Sequence, residues 1–390
     1  MGYSAHPDPT PGLREVEARD VPDWNARAVQ GPGGDVYQSV EWAEHWQRWS
    51  SSSWRPRLLL FDDGLPLLSL ERRWPLISGR GAYLPRGPVS AGEPADLTAA
   101  RLAAAFEFLV ARGVDVVSSD AAIQAATGYG GLIEAFGFRS TEEIEPSRHR
   151  LTLPLDRDED ALYRRLATST RQRAGSAERH GLTVIRYDAR PGPESWDGFE
   201  PSGADSADPR QLLPVMDRFY DLLALASHRR DFRLAPRARV TDWLSHAVAA
   251  GLAVHLEIRA PDKCVLAAAL FFRHGGRLTY AHSGDRDDRR HEYPGVVHLM
   301  LWRAIQLARR EGLAEMDLGG VDVVGRRGRP QPGDPMYGLY AFKASFGGQW
   351  VELAGNHERV ARPLRYLGGR LAGRIVRAKR NSLAVLRSLR

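Results

Sequence analysis

Two stretches of this chain pass through the same order of elements, and that repetition limits the possible folds more than any other feature. In the first, LLLFDDGLPLLSL reads as two strands around an Asp-Gly turn and GAYLPRGPV as a third strand. AARLAAAFEFLVARG then reads as an amphipathic helix closed by Gly113, followed by the strand VDVVSS, the short helix GLIEAFGF and the strand RHRLTLPL. In the second, LAVHLEIRAPDKCVLAAALFFRHGGRLTYAHSGD holds three strands with turns at Pro261–Lys263 and Gly275–Gly276. VVHLMLWRAIQLARREG is a helix closed by Gly312, LAEMDLGG a strand, YGLYAFKASFGG a short helix and QWVELAG a strand. ARGVDVVSSD matches RREGLAEMDLGG, and YGGLIEAFGF matches YGLYAFKASFGG, as expected of an internal duplication.

Length supports two cores, since a single domain rarely exceeds about 200 residues and this chain has 390. The repeated order of strand meander, helix, strand, helix and strand predicts an α+β chain of two GNAT-like domains, the acetyltransferase architecture. The expected division is 1–148, completed by 346–390, and 149–345. Between the repeats, DARPGPESWDGFEPSGADSADPR is rich in Pro, Gly, Ser and Asp and reads as a loop or insertion. DEDALYRRLATSTRQRAGSAERHG reads as one basic helix.

Composition narrows the function classes. A single cysteine, Cys264, permits no internal disulfide or cysteine metal cluster, and its neighbours KCVLAAALFF predict a buried strand residue. The twelve histidines are scattered, so no metal site is expected. MGYSAHPDPTPGL has no basic start followed by an apolar core, and no apolar run approaches the roughly 18 residues of a membrane span. A cytoplasmic location is expected. From Arg359 to Arg390 there are ten basic and no acidic residues; the remaining 44 Lys and Arg stand against 48 Asp and Glu. Within that tail Leu364, Leu367, Leu371 and Ile375 recur at helical spacing. A basic amphipathic helix of this kind suits an anionic membrane surface at the inner membrane face or an RNA backbone; the other reading is a helix packed on the body with a solvated basic face.

One residue resists a structural explanation. Aligning Phe136-Gly137 with Phe346-Gly347 places Lys343 opposite Ile133, so the first repeat uses an apolar residue where the second has an ammonium group. Leu339, Phe342 and Phe346 form an apolar stripe with Lys343 on its edge. Desolvating that lysine costs stability unless a polar partner compensates.

VYQSVEWAEHW (36–46), YLPRGPV (83–89), STRQRAGSAERHGLTV (169–184), HRRDF (228–232), MDLGGV (316–321) and GLYAFKASFGG (338–348) occur in the order and spacing of the Fem-type aminoacyltransferases of peptidoglycan bridge formation, and the chain resembles that family over most of its length. The resemblance implies two GNAT-like domains and transfer of an amino acid from aminoacyl-tRNA, as co-substrate, to an amine, with no other cofactor and no metal. The acceptor would be a lipid-linked or nucleotide-linked cell-wall precursor, or a related peptide or small-metabolite amine. It also implies that Lys343, beside Phe342, is the main catalytic side chain. Where the family often has a lysine after its opening tryptophan, near the precursor's phosphates, this chain has Trp46. Polar positions around HRRDF point to Arg229 and Arg230 as substrate-binding candidates.

The chemistry gives the other candidates their roles. Aminolysis of an ester passes through an oxyanion, and a fixed donor such as Lys343 contributes about 2.7–4 kcal/mol there; the alternative is a lysine whose stem covers Phe342 while its head reaches water. Asp120 and Asp317, each at a strand end, can take a proton or orient an ammonium group, and Asp317 can equally cap the turn at Gly319-Gly320. Arg164, Arg165, Arg171, Arg173 and Arg179 on the basic segment suit tRNA phosphates or form a solvated face. Arg86, between Pro85 and Gly87, can clamp a substrate anion. Tyr280 and Tyr293 border the loop before the second repeat helix, with substrate stacking or core packing as alternatives. Two other functions compete. An acyl-CoA-dependent GNAT N-acyltransferase of polysaccharide or metabolite assembly would carry a pyrophosphate-holding Gly-rich turn, which neither VSAGEPADLTAARLAA nor DRRHEYPGVVHLMLW contains. A non-enzymatic membrane or RNA adaptor on a transferase scaffold would not need the Phe342-Lys343 pair.

Overall fold

The computed structural model describes residues 12–49, 54–141, 149–190, 198–230, 232–321 and 328–388, with the side chains of residues 201, 230 and 377–388 outside the description. The chain forms two units, Met1–Glu145 with Leu353–Arg390 and Pro146–Glu352. The first contains β1 (Leu13–Val16), α1 (Val40–Trp49), β2 (Trp54–Phe61), β3 (Pro66–Arg73), β4 (Arg80–Leu84), α2 (Ala95–Ala111), β5 (Val116–Ser119), α3 (Tyr129–Ala135) and β6 (Arg139–Ser140). The second opens with β7 (His149–Pro154), α4 (Glu159–Arg165), α5 (Thr168–Glu178), β8 (Thr183–Tyr187), β9 (Glu200–Pro201), α6 (Pro209–Arg230) and α7 (Arg237–Ala249). It continues with β10 (Ala253–Arg259), β11 (Val265–His274), β12 (Arg277–Asp285), α8 (Val296–Arg310), β13 (Glu315–Asp317), α9 (Tyr337–Ala344) and β14 (Gln349–Glu352). The chain then returns to the first unit as β15 (His357–Val360) and α10 (Pro363–Ser388).

The sheet of the first unit runs β1-β2-β3-β4-β5-β15-β6 and that of the second β14-β7-β13-β12-β11-β10-β8-β9. Read from the meander, the two are equivalent. β2-β3-β4 and β10-β11-β12 are antiparallel, and a helix then crosses over to a parallel strand, β4 to β5 through α2 and β12 to β13 through α8. Both crossover helices end in the same way. Gly113 (φ 91°) and Gly312 (φ 72°) are left-handed, and the following Val114 and Leu313 amides donate back to Leu109 and Ala308. This closure satisfies the last carbonyls of a helix and favours a residue without a Cβ. Apolar faces of the helices and sheet make one core in each unit, around Leu59, Leu67, Leu102 and Phe106 in the first and Leu256, Phe271, Leu301 and Ile305 in the second. The chain is thus an α+β protein of two GNAT-like units.

Several details differ from the sequence reading. RHRLTLPL does not close the first repeat: as β7 it lies between β13 and β14, and the equivalent place in the first sheet, between β5 and β6, is taken by β15. The partner of β14 in the first repeat is β6, two residues long and too short to leave a pattern. Because Gln349–Glu352 pair with β7, the chain returns to the first unit at Leu353 rather than at 346. The basic segment is two helices, not one. Leu166 (ψ 145°) and Ala167 (ψ 146°) are extended, Leu166 is buried, and the Ala167 amide donates to the Ser345 carbonyl at 2.8 Å, so tertiary packing replaces the helical bond given up at the break. Cys264 precedes β11 and is half-buried in the turn, where its amide donates to Asp262 at 3.0 Å. Finally, α6 and α7 occupy a span to which the repeat assigns nothing. Among its described residues, the stretch read as a loop contributes the two-residue β9 and the first two residues of α6.

Candidate active site

α9 is a short helix with one buried residue, and it is Lys343. Lys343 is 7% exposed, so it lies deeper than Leu339 and Phe342 of the stripe it was expected to edge, which are half-buried where they line a cavity, while Phe346 is wholly buried. That cavity, 1130 Å³, belongs to the second unit. Its walls are the end of β12, the loop into α8, the first turns of α8, and α9, with Arg173 from α5 and Arg229 from α6. The Lys343 ammonium donates to the Gly320 carbonyl at 2.8 Å and stands 5.8 Å from the centre of the Tyr280 ring. Both contacts offset desolvation of the charge without neutralising it.

Asp317 sets the turn that supplies this carbonyl. Its Oδ1 accepts the Gly319 amide at 2.7 Å, and its Oδ2 is 3.4 Å from the Arg150 guanidinium. Gly319 is left-handed (φ 74°), and a Cβ there would fall 3.1 Å from the Tyr280 carbonyl and 3.2 Å from the Lys343 Nζ. The carboxylate of Asp317 is buried in these contacts and is not part of the cavity lining. The geometry therefore fits the turn-capping alternative rather than proton transfer.

Opposite Lys343, Phe342 packs edge-on to His298 at 5.1 Å, and His298 stacks on Phe346 at 6.0 Å. Burial, reinforced by the positive charge of Arg173, lowers the His298 pKa to about 4; burial alone lowers that of His282 to about 4. Both imidazoles are neutral at pH 7, so this wall adds no charge. Tyr280 donates to Ser283 at 2.5 Å and Tyr293 carries the Arg289 guanidinium 5.2 Å from its ring centre; both tyrosines line the cavity. Charge is concentrated on the rim. Asp285 pairs with Arg229 and Arg290, each at 2.6 Å; Arg229 also reaches Asp287 at 2.9 Å, and Arg289 pairs with Glu292 at 2.7 Å and Asp262 at 2.8 Å. The side chain of Arg230 lies outside the described residues.

The cavity thus brings together Lys343, Phe342, Tyr280, Tyr293, Arg229 and Arg173 from the sequence candidates. Asp120, Arg86 and Trp46 belong to the first unit. There, buried Asp120 accepts from the Arg86 amide at 2.7 Å and the Tyr83 hydroxyl at 3.0 Å, with the Arg86 guanidinium 3.5 Å away. Burial raises its pKa even so, against the opposing pull of Arg86. Arg86 itself is left-handed, at φ 53°. Trp46 is half-buried and packs against Trp42 and Trp54 at 5.7 and 5.9 Å. Of the basic segment, Arg164, Arg173 and Arg179 are exposed and Arg165 is half-buried. Arg171 instead donates to the Arg164 and Leu166 carbonyls at 2.6 and 2.9 Å, bracing the break between α4 and α5. His298, His282, Asp285 and Arg290 were not among the sequence candidates. Neither histidine has a motif around it, and both reach the cavity only through the packing of α8 and β12 beside α9. Among the described residues no group of three His, Cys, Asp or Glu is placed to hold a metal.

No curated protein matches the chain. The model of the FemAB family matches residues 252–374, a segment that contains most of the cavity wall and Lys343. Among solved structures, the chain superposes on a crystal structure of FemX with TM-score 0.71 at 18% identity, covering 92% of this chain and 99% of that one. It also superposes on a conserved protein of unknown function from Bacteroides thetaiotaomicron VPI-5482 with TM-score 0.54 at 10% identity, covering 89% and 98%. A segment that matches the FemAB family is thus carried on a fold shared with FemX.

Proposed function

We propose that the protein is an aminoacyltransferase that moves an amino acid from aminoacyl-tRNA to an amine and forms an amide bond. The observation that carries this reading is the buried ammonium of Lys343, oriented by the Gly320 carbonyl on the wall of a cavity large enough for an aminoacyl ester and an amine together. The nitrogen lone pair of the acceptor attacks the ester carbonyl carbon, and the carbonyl electron pair moves onto oxygen. Lys343 donates a hydrogen bond to that oxyanion, an interaction that strengthens only as charge develops. Collapse of the intermediate breaks the bond to the ribose oxygen, which leaves as a hydroxyl carrying the proton lost from nitrogen. Asp317 is a positioning residue in this scheme, because it fixes the Gly319-Gly320 turn against which Lys343 is held. Arg164, Arg173 and Arg179 present exposed positive charge for the tRNA backbone. The acceptor is the amine of a peptidoglycan precursor or of a related peptide or small metabolite.

The test supplies radiolabelled aminoacyl-tRNAs, one amino acid at a time, with a panel of amine acceptors. Acceptor-dependent deacylation with a labelled amide product is the expected result. Transfer from an acyl-CoA, with none from any aminoacyl-tRNA, overturns it.

A further inference from the structure

Two elements of the first unit carry apolar side chains into solvent side by side. α10 is seated on the unit by its small residues. Ala372 is buried, the ring of Tyr366 meets that of Trp74 at 6.2 Å, and a Cβ at Gly369 would fall 2.3 Å from the Trp74 indole. The residues not used for seating are the apolar ones: Leu364 is 86% exposed, and Leu367, Leu371 and Ile375 are exposed with it. Next to them the loop between β3 and β4 holds Leu76, 78% exposed, and exposed Ile77, whose Cδ1 lies 3.3 Å from where a Cβ on Gly368 would be. Leu76 is in the left-handed region (φ 68°), a conformation unfavourable for leucine and easy for glycine. The fold gains no burial from this side chain in return.

The surroundings of the patch are basic. Arg72 and Arg73 lead into the loop, and Arg365, Arg370 and Arg374 on α10 are exposed. The nearby carboxylates are engaged inward: Asp115 accepts from the Trp74 indole at 2.8 Å, and Glu358 accepts from Tyr366 at 2.5 Å. No acidic residue occurs from Arg359 to Arg390.

We propose that this face, Leu76 and Ile77 together with the outer side of α10, seats the protein on an anionic lipid surface. A bilayer interface takes both kinds of side chain at once, leucines at the acyl boundary and arginines among negative headgroups. The other occupants satisfy only half of the surface. A second copy related by a two-fold axis would bring the arginines of one chain against those of the other. A nucleic acid would neutralise the arginines and leave the leucines in water. No helix among the described residues is long and apolar enough to cross a membrane, so attachment would be at the surface.

The test is co-sedimentation with vesicles of phosphatidylglycerol and phosphatidylcholine, compared with phosphatidylcholine alone, at low and high salt. The full chain should bind the anionic vesicles, more weakly in salt. Leu367→Asp combined with Leu371→Asp should cut binding by about tenfold or more. Leu76→Gly should weaken binding severalfold while leaving the urea midpoint unchanged or raised, because it removes backbone strain. Parallel loss of binding and stability in Leu76→Gly would mean a packing role and overturns the assignment. Wild-type protein that stays in the supernatant also overturns it, as does a dimer in sedimentation equilibrium that the leucine substitutions dissociate. Loss of tRNA retention in the same leucine variants would transfer the face to nucleic acid.

Discussion

The Lys343 ammonium and the Gly320 carbonyl are 2.8 Å apart, and the turn that presents this carbonyl is held by Asp317, whose Oδ1 accepts the Gly319 amide at 2.7 Å. A strand-end carboxylate therefore controls the position of a cation on a different element. The ammonium group held in this way lines the cavity.

Lys343→Met should lower turnover by about a hundredfold, the usual effect of losing one preorganised oxyanion donor. Methionine keeps the length of the side chain, and removing a buried charge leaves the fold intact or more stable. KM should change little, because the interaction forms in the transition state. Lys343→Arg should recover little activity, since a planar fork does not fit the place of a compact ammonium. Steady-state kinetics with the true donor and acceptor check this, and near-normal turnover of folded Lys343→Met removes the catalytic assignment.

Asp317→Ala should destabilise the protein by about 3 kcal/mol, because it removes a carboxylate from beside the buried Arg150 guanidinium and takes away the acceptor of the Gly319 amide. Asp317→Asn keeps an oxygen for the Gly319 amide, so its cost should be smaller, about 1–2 kcal/mol. Urea unfolding of the two variants gives the comparison. If the asparagine variant were as damaged as the alanine one, the turn-capping role would fail.

Acid should weaken the protein in two successive windows. His298 and His282 have folded pKa values of about 4 against 6.5 when unfolded, so between those values the unfolded chain holds more protons. The stability they allow is present above pH 6.5 and lost as pH falls from 6.5 to 4. Burial by itself opposes ionisation of Glu257, but the nearby His255 imidazole and the hydrogen bonds and charges of Arg259 and Arg218 outweigh it and hold the pKa at about 2 against 4.5. Its contribution is present above pH 4.5 and lost as pH falls from 4.5 to 2. Arg173→Ala should raise the His298 pKa and so narrow the first window. Imidazole NMR titration reads the pKa directly, and urea midpoints across the range read the stability.

Acetyl-CoA should bind weakly or not at all. The segment before α8, DRRHEYPG, lacks the Gly-rich turn that cradles a pyrophosphate, and the single left-handed Gly295 at the helix start packs against the Arg173 backbone, with a Cβ there only 2.2 Å from the Arg173 carbonyl oxygen. Calorimetry returning micromolar affinity for acetyl-CoA would contradict this.

Much of the architecture is written locally. The strands of both meanders, the crossover helices and their closing Gly113 and Gly312 follow from period, propensity and a glycine after the last turn, all of which act over a few residues. The oddity of Lys343 was also local: a charge where the matching repeat has Ile133. What tertiary structure decided is which elements meet. The break at Leu166–Ala167 carries no Gly or Pro; it exists because the freed Ala167 amide finds the Ser345 carbonyl, far away in the chain. β7 and β15 each fill the same place in the sheet of the other repeat, a choice of pairing that the alternation of their side chains cannot encode. Lys343 is buried, and Leu339 and Phe342 are not, because α8 and the end of β12 leave a cavity on one side of α9 and the Gly319-Gly320 turn closes the other. Periodicity records which residues avoid water; it does not record which neighbour excludes it.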